Sequence, residues 1–223
     1  MNRDTYFVRR VDRPVEINAI WEKRPWVDID PIIVDQFMGA RPIHFPDVQT
    51  KLGYDATAIY IIFRVADQYV CARKEKHQER VCEDSCVEFF FTPGADISAG
   101  YFNLEMNCGG TVYFHHQQGR NFADEAVKTA DFQQLKIAHS LPKFIDPEIP
   151  TKTTWVVEYR LPFDILTRYA LVTAPQPGAI WRANFYKCAD ESSQPHWLTW
   201  APIDKSEPDF HRPEFFGKLI FEA

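Results

Sequence analysis

Short apolar runs in which every second residue is apolar recur along the whole chain. A period of two puts alternate side chains on one face of a pleated strand. The pattern predicts strands at 48–54, 58–65, 85–92, 101–107, 111–115, 132–139, 155–161, 180–188 and 218–221. Turn residues separate them: Gly53 before Tyr54-Asp55, then Thr92-Pro93-Gly94, then Cys108-Gly109-Gly110. The glycine pair predicts a tight hairpin, because glycine accepts positive φ. Helix is scarce. Residues 164–169 follow Pro162-Phe163 and predict one or two turns with Asp164 as N-cap, and 32–37 is a second short candidate. No ten-residue amphipathic segment lies between consecutive strands, which excludes parallel βαβ architectures. Residues 142–153 read as a long loop. The expected fold is all-β: a two-sheet antiparallel β-sandwich with minor helix, forming a single domain over residues 1–223.

Composition fits that size of core. The chain has 223 residues, with 18 Phe, 9 Tyr and 6 Trp, and large aromatics supply much of the buried area of a sandwich. Phe89, Phe91, Leu104, Val157 and Phe185 are expected between the sheets. The formal net charge of −6 comes without a basic cluster beyond pairs such as Arg9-Arg10, so no nucleic-acid partner is expected. No apolar run approaches the roughly 18 residues of a membrane span, so no membrane partner is expected either. Residues Met1 to Thr5 lack the apolar segment of a signal peptide. The expected compartment is the cytoplasm, or the periplasm or exterior if a leader precedes this sequence. Oligomeric state leaves no signal. The five cysteines, Cys71, Cys82, Cys86, Cys108 and Cys188, are an odd number, which argues against a complete disulfide framework. Cys82 and Cys86 are four apart, yet no second pair follows with zinc-site spacing. They are expected to act as small buried hydrophobes, with no metal and no cofactor.

The polar halves of the alternating strands carry the candidate chemistry. Val87, Phe89 and Phe91 share one face and Glu88 takes the other. Phe102, Leu104 and Met106 oppose Asn103, Glu105 and Asn107. Arg182, Asn184 and Tyr186 lie opposite Trp181 and Phe185, and Glu158 and Arg160 form a further polar pair. A solvated outer sheet face would look similar. This one, however, is rich in Asn, Glu and Arg and interrupted by Tyr101 and Tyr186. Planar carboxylates, amides and guanidinium groups suit vicinal hydroxyls, which donate and accept at once.

Several motifs in order sharpen the reading. Asp84-Ser85-Cys86-Val87-Glu88-Phe89-Phe90 is followed by Asn103-Leu104-Glu105-Met106-Asn107. Then come residues 155–162 (WVVEYRLP), Asn184-Phe185-Tyr186-Lys187, Pro195-His196-Trp197-Leu198-Thr199-Trp200 and Pro208-Asp209-Phe210-His211-Arg212. Together, from about Pro14 to Phe221, they resemble the family 9 carbohydrate-binding modules, which are often attached to xylanases, and their DOMON-like relatives. The resemblance implies a sandwich with a glycan pocket and a place in xylan or other polysaccharide catabolism. It implies Glu88 as the pocket carboxylate and Asn103 and Glu105 as polar strand positions. Phe210 falls where the family has a clamping Trp, and the other clamping Trp falls near Cys82. A thiol cannot stack on a sugar, so Trp197 or Trp200 is the alternative platform, unless both are core aromatics. Asn107, Arg182, Asn184, His211 and Arg212 complete the expected ligand-binding set. Some members of the family bind calcium, but no dense Asp run with calcium-loop spacing occurs here.

A glycoside hydrolase needs two carboxylates flanking the scissile bond, which Glu88 and Glu105 could supply if their strands adjoin. No Gly-x-Ser-x-Gly elbow supports a serine triad. His196 and His211 with Glu88 could form a 2-His-1-carboxylate site, although each His could equally fix a loop. No Met/His pair stands out as haem ligands. The expectation is a carbohydrate-binding module without catalytic residues.

Overall fold

The computed structural model describes residues 4–119 and 124–223. The leader reading at Met1, Asn2 and Arg3 lies outside these residues. In chain order the strands are β1 (Thr5–Arg10), β2 (Ile32–Ile33), β3 (Gln36–Phe37), β4 (Asp47–Tyr54), β5 (Ala58–Asp67), β6 (Val70–Ala72), β7 (Cys86–Thr92), β8 (Tyr101–Asn107), β9 (Val112–Gln117), β10 (Asp124–Ala126), β11 (Lys136–His139), β12 (Ile145–Ile149), β13 (Thr153–Pro162), β14 (Ile180–Cys188), β15 (Trp197–Thr199) and β16 (Gly217–Phe221). Two four-residue helices, α1 (Thr129–Phe132) and α2 (Phe163–Leu166), accompany them.

One sheet runs β10-β9-β8-β7-β14-β16-β1 and the other β1-β4-β5-β13-β11. Strand β1 belongs to both. Its first half pairs in parallel with β16 (Tyr6 opposite Leu219), and its last two residues pair in parallel with β4 (Arg9 opposite Gly53). The remaining pairings within the two sheets are antiparallel. The inward positions of β7, β8, β14, β5 and β13 form one contiguous core. Phe89, Phe91, Leu104, Val157 and Phe185 are all fully buried in it, as the alternation requires. Phe89 stacks on Phe185 with ring centroids 4.9 Å apart and planes 9° apart. Complete burial of each such side chain is worth roughly 1.5–3 kcal/mol.

Both outer faces are also covered. The outer face of the β5–β13 sheet carries Tyr60, Ile62 and Val156, capped by Trp26 and Val15 from the 11–29 segment. Glu158 anchors that cover. Its carboxylate accepts from Trp26 Nε1 at 2.8 Å and from the backbone N–H groups of Asn18 and Ala19, and it pairs with Lys23. The outer face of the other sheet carries a second apolar cluster with Cys86, Phe90, Tyr101, Tyr186 and Cys188, covered by Met38, Val81, Ile203, Phe210 and Phe216.

Four local expectations are corrected. Residues 32–37 form two short strands rather than a helix. Ile32 is buried and pairs with Thr50, while Gln36 pairs with Thr199, so period two prevails there. Helix α2 begins at Phe163 with Pro162 as its cap, and Asp164 lies inside the first turn. Strand β11 begins only at Lys136. Residues 129–132 are helical because Asp131 gathers Arg168 and the Tyr169 hydroxyl while Phe132 stacks on His77. The 142–153 segment holds β12, which pairs with β6. The hairpin at Cys108-Gly109-Gly110 forms as read, with Gly110 at φ +83°. A side chain at Gly109 would strike the Lys143 carbonyl, so this turn also packs against the incoming β12 segment.

Candidate functional site

Strand register decides which polar residues meet. In β7 and β8, Glu88 stands opposite Glu105 and Phe90 opposite Asn103. In β14, Tyr186 stands opposite Glu88 and Asn184 opposite Phe90. Strand β9 then sets Tyr113 beside Glu105 and His115 beside Asn103. Four adjacent strands therefore bring Glu88, Asn103, Glu105, Asn184 and Tyr186 onto one outer face, next to Tyr113 and His115.

The members of this face play different parts. Asn184 is consumed by the 201 loop: its Nδ2 donates to Ala201 O and its Oδ1 accepts from Ala201 N and Phe185 N. Asn107 builds the hairpin, accepting from the backbone of Gly109 and Thr111 and donating to Asp84. Arg182 donates to the carbonyls of Phe216 and Gly217 and so fixes the entry to β16. Trp200 lies in the inter-sheet core against Phe185. Phe210 lies flat on Tyr186, with centroids 4.1 Å apart and planes 10° apart, and its carbonyl accepts from the Tyr186 hydroxyl. His211 Nδ1 is 2.9 Å from the Tyr101 hydroxyl, and Arg212 pairs with Asp209. His196 faces Lys187, well inside the protein.

What remains without a wholly structural role is the pair of acids and a half-buried rim. Glu105 Oε1 accepts from Asn103 Nδ2 at 2.9 Å, and Asn103 Oδ1 accepts in turn from Gln117 Nε2. Glu88 Oε1 accepts from the Cys188 thiol at 3.1 Å, while Glu88 Oε2 is buried with no hydrogen-bond partner among the described residues. Burial, then the neighbouring Glu105 charge, holds Glu88 well above the usual carboxylate range. Burial likewise raises Glu105, and Asp190 adds to the effect. Glu88 is 2% exposed and Glu105 6%. Around them Cys82, Tyr113, Trp197 and Phe215 are only partly buried against the second cluster. Trp197 Nε1 donates to Asp190 Oδ1 at 2.8 Å, and Tyr113 stacks on His115 at 4.0 Å.

Tyr113, His115 and Asp190 were not read from the sequence as site residues. Tyr113 and His115 are visible in hindsight through the strict alternation of β9, where Val112, Phe114 and His116 are buried and Tyr113, His115 and Gln117 are not. Nothing local marks Asp190. It reaches the site because its backbone N–H binds Cys82 O.

The comparisons with known proteins bear on the family and the fold. The family model described as carbohydrate-binding family 9 matches residues 20–221. A solved structure of a Bacteroides uniformis protein, provisionally described as carbohydrate-binding, superposes with a TM-score of 0.87 at 26% identity, covering 98% of this chain and 99% of that one. A family 9 carbohydrate-binding module from Caldicellulosiruptor kristjanssonii in complex with glucose gives 0.64 at 14% identity, covering 98% and 96%. A family 9 module from the same organism in complex with cellotriose gives 0.66 at 15%, covering 98% and 94%. At those identities the last two speak for the fold alone. No curated protein matches. Among the described residues, no helix is long and apolar enough to cross a membrane.

Proposed function

This chain belongs to carbohydrate-binding family 9, and on that premise we propose that residues 1–223 act as one glycan-binding module. Its site is the outer face floored by Glu88 and Glu105. The carrying observation is Glu88 Oε2, a buried acceptor with no partner, beside a second acid and a rim of half-buried aromatics. A pyranose offers what this set lacks. Its hydroxyls both donate and accept, so they satisfy carboxyl oxygens whether or not these are protonated. Its C–H face lies against aromatic rings such as Tyr113 and Trp197. Because a thiol stands at Cys82, stacking falls to those two rings. The glucose and cellotriose in the two Caldicellulosiruptor structures make β-linked glucans one ligand class to test, and the xylanase association of the family makes xylans the other. In either case the module would serve polysaccharide utilisation by holding the chain near its polymer.

Calorimetric titration of the protein with glucose, cellotriose and xylotriose tests the reading. Saturable binding of at least one, weakened tenfold or more in Trp197→Ala, is expected. A difference of about 1.4 kcal/mol corresponds to a factor of ten. No binding of any of the three at millimolar concentration would overturn it.

A further inference from the structure

The thiols beneath the candidate glycan face are arranged for more than packing. Cys86 and Glu88 are two apart on β7 and point to the same outer face, and Cys188 on β14 stands directly opposite Cys86. One ligand-capable atom from each of Cys86, Glu88 and Cys188 lies within 4.8 Å of the other two, and all three residues are buried. Each is at most 2% exposed. Glu88 carries the second, independent observation, an Oε2 buried without a hydrogen-bond partner. Cys82 lies directly above, its carbonyl accepting from the Cys188 thiol at 3.6 Å.

We propose that Cys86, Cys188 and Glu88 form a binding site for zinc(II), with the fourth position taken by Cys82 or by water. Two thiolates and a carboxylate suit a borderline-soft divalent ion and not calcium or magnesium, which require several oxygen ligands. Tetrahedral zinc holds sulfur at about 2.3 Å and carboxylate oxygen at about 2.0–2.2 Å. Its ligand atoms therefore sit about 3.5 Å apart, and side-chain adjustments of roughly 1 Å complete the shell. Burial raises Cys86 to about 12, and Cys188 and Glu88 well above their usual ranges. Without an ion the three groups are accordingly neutral. On binding, two S–H bonds and one O–H bond break, two Zn–S bonds and one Zn–O bond form, and three protons leave to solvent. No oxidant is needed. The site shares Glu88 with the glycan reading but does not rest on it, and its test contains no sugar.

The test uses the whole protein, reduced and chelator-treated. Cobalt(II) titration should give thiolate-to-metal charge-transfer absorption that saturates at one equivalent. Zinc should displace the cobalt, and millimolar calcium should not. Cys86→Ser and Cys188→Ser should each lower affinity tenfold or more, while Cys71→Ser should leave it unchanged. Should the serine variants fail to fold, X-ray absorption on zinc-loaded wild-type protein decides. Two or three sulfur scatterers at about 2.3 Å support the site, and a shell with fewer overturns it. Absence of charge transfer in the wild type also overturns it, as does its persistence in a folded Cys86→Ser/Cys188→Ser double variant.

Discussion

Glu88 and Glu105 face each other directly across neighbouring antiparallel strands, both almost wholly inside the protein. Both carboxyls are raised by burial, and in Glu88 by its neighbour as well. Over the interval between the unfolded and folded values, the folded state holds protons that the unfolded chain has released. The pair's contribution to stability is therefore greatest below the unfolded range, about 4.3, and declines as pH rises toward the folded values. Glu105→Gln keeps an acceptor for Asn103 and removes the titration. In metal-free protein it should be more stable than wild type at pH 8, by on the order of 1–3 kcal/mol, with the difference closing toward pH 4. Thermal melts across that range check this. A variant less stable than wild type at pH 8 would contradict it.

Lys187 makes the opposite electrostatic case. Its ammonium is fully buried, 3.4 Å from Asp67, 2.7 Å from His196 Nε2 and 2.9 Å from Cys188 O. His196 donates from Nδ1 to Gln194 O, so its Nε2 must accept, and burial followed by the Lys187 charge lowers its pKa to about 3. Lys187→Met removes the buried ammonium from Asp67, which keeps its bond to His44 Nε2 at 2.7 Å, and should cost about 3–5 kcal/mol. Adding Asp67→Asn should recover part of that loss. A double variant less stable than the single would refute the pairing. His196 also has a pH signature. Because its folded value is depressed, its contribution is lost as pH falls below about 6.5 and through 3.

Gly109 offers a purely steric test. A methyl group there meets the Lys143 backbone. Gly109→Ala should cost about 1–3 kcal/mol, or roughly 2–4 °C of Tm per kcal/mol in a chain of this size. An unchanged melting temperature would mean that the 143 segment does not hold this position in solution.

The contrast between these residues explains what the sequence could reveal. The inward faces of β7, β8, β13 and β14 were legible because burial enforces strict alternation, and Phe89, Leu104 and Phe185 occupy the core it requires. Strand β1 was not legible. Its outward Phe7 is half exposed, Arg9 and Arg10 follow, and its pairing partners lie at β16 and β4. At the site, alternation placed Glu88, Asn103 and Glu105 on one face, but it could not tell an acid left with an unpartnered oxygen from a polar residue whose bonds are used up by the fold. That distinction depends on loop contacts such as Asn184 with Ala201 and Arg182 with Phe216. The grouping of Cys86 with Cys188 depends on register between strands far apart in the chain, which spacing rules for neighbouring cysteines do not detect.

The paired acids also make a prediction about catalysis. Glycoside hydrolysis by two carboxyls needs one protonated acid and one ionised partner, with the scissile bond between them. Here both acids lie at the floor of the face, 2% and 6% exposed and directly opposite each other on adjacent strands, so a sugar can touch their edges but a scissile bond cannot enter between them. With Glu105 raised to about 7 and Glu88 well above the usual range, the pair has the protonation states of an acid and a base but not the placement. The isolated chain should therefore not turn over xylan, cellulose or nitrophenyl glycosides near neutral pH, while Glu88→Gln should weaken glycan binding about tenfold by changing the hydrogen-bonding capacity of the floor. Phe210→Ala should weaken it too, because removing the ring that lies on Tyr186 loosens the 210 loop. Hydrolysis that persists through rigorous purification and vanishes in Glu88→Gln would show instead that a scissile bond does enter between the two acids and that they act as catalyst.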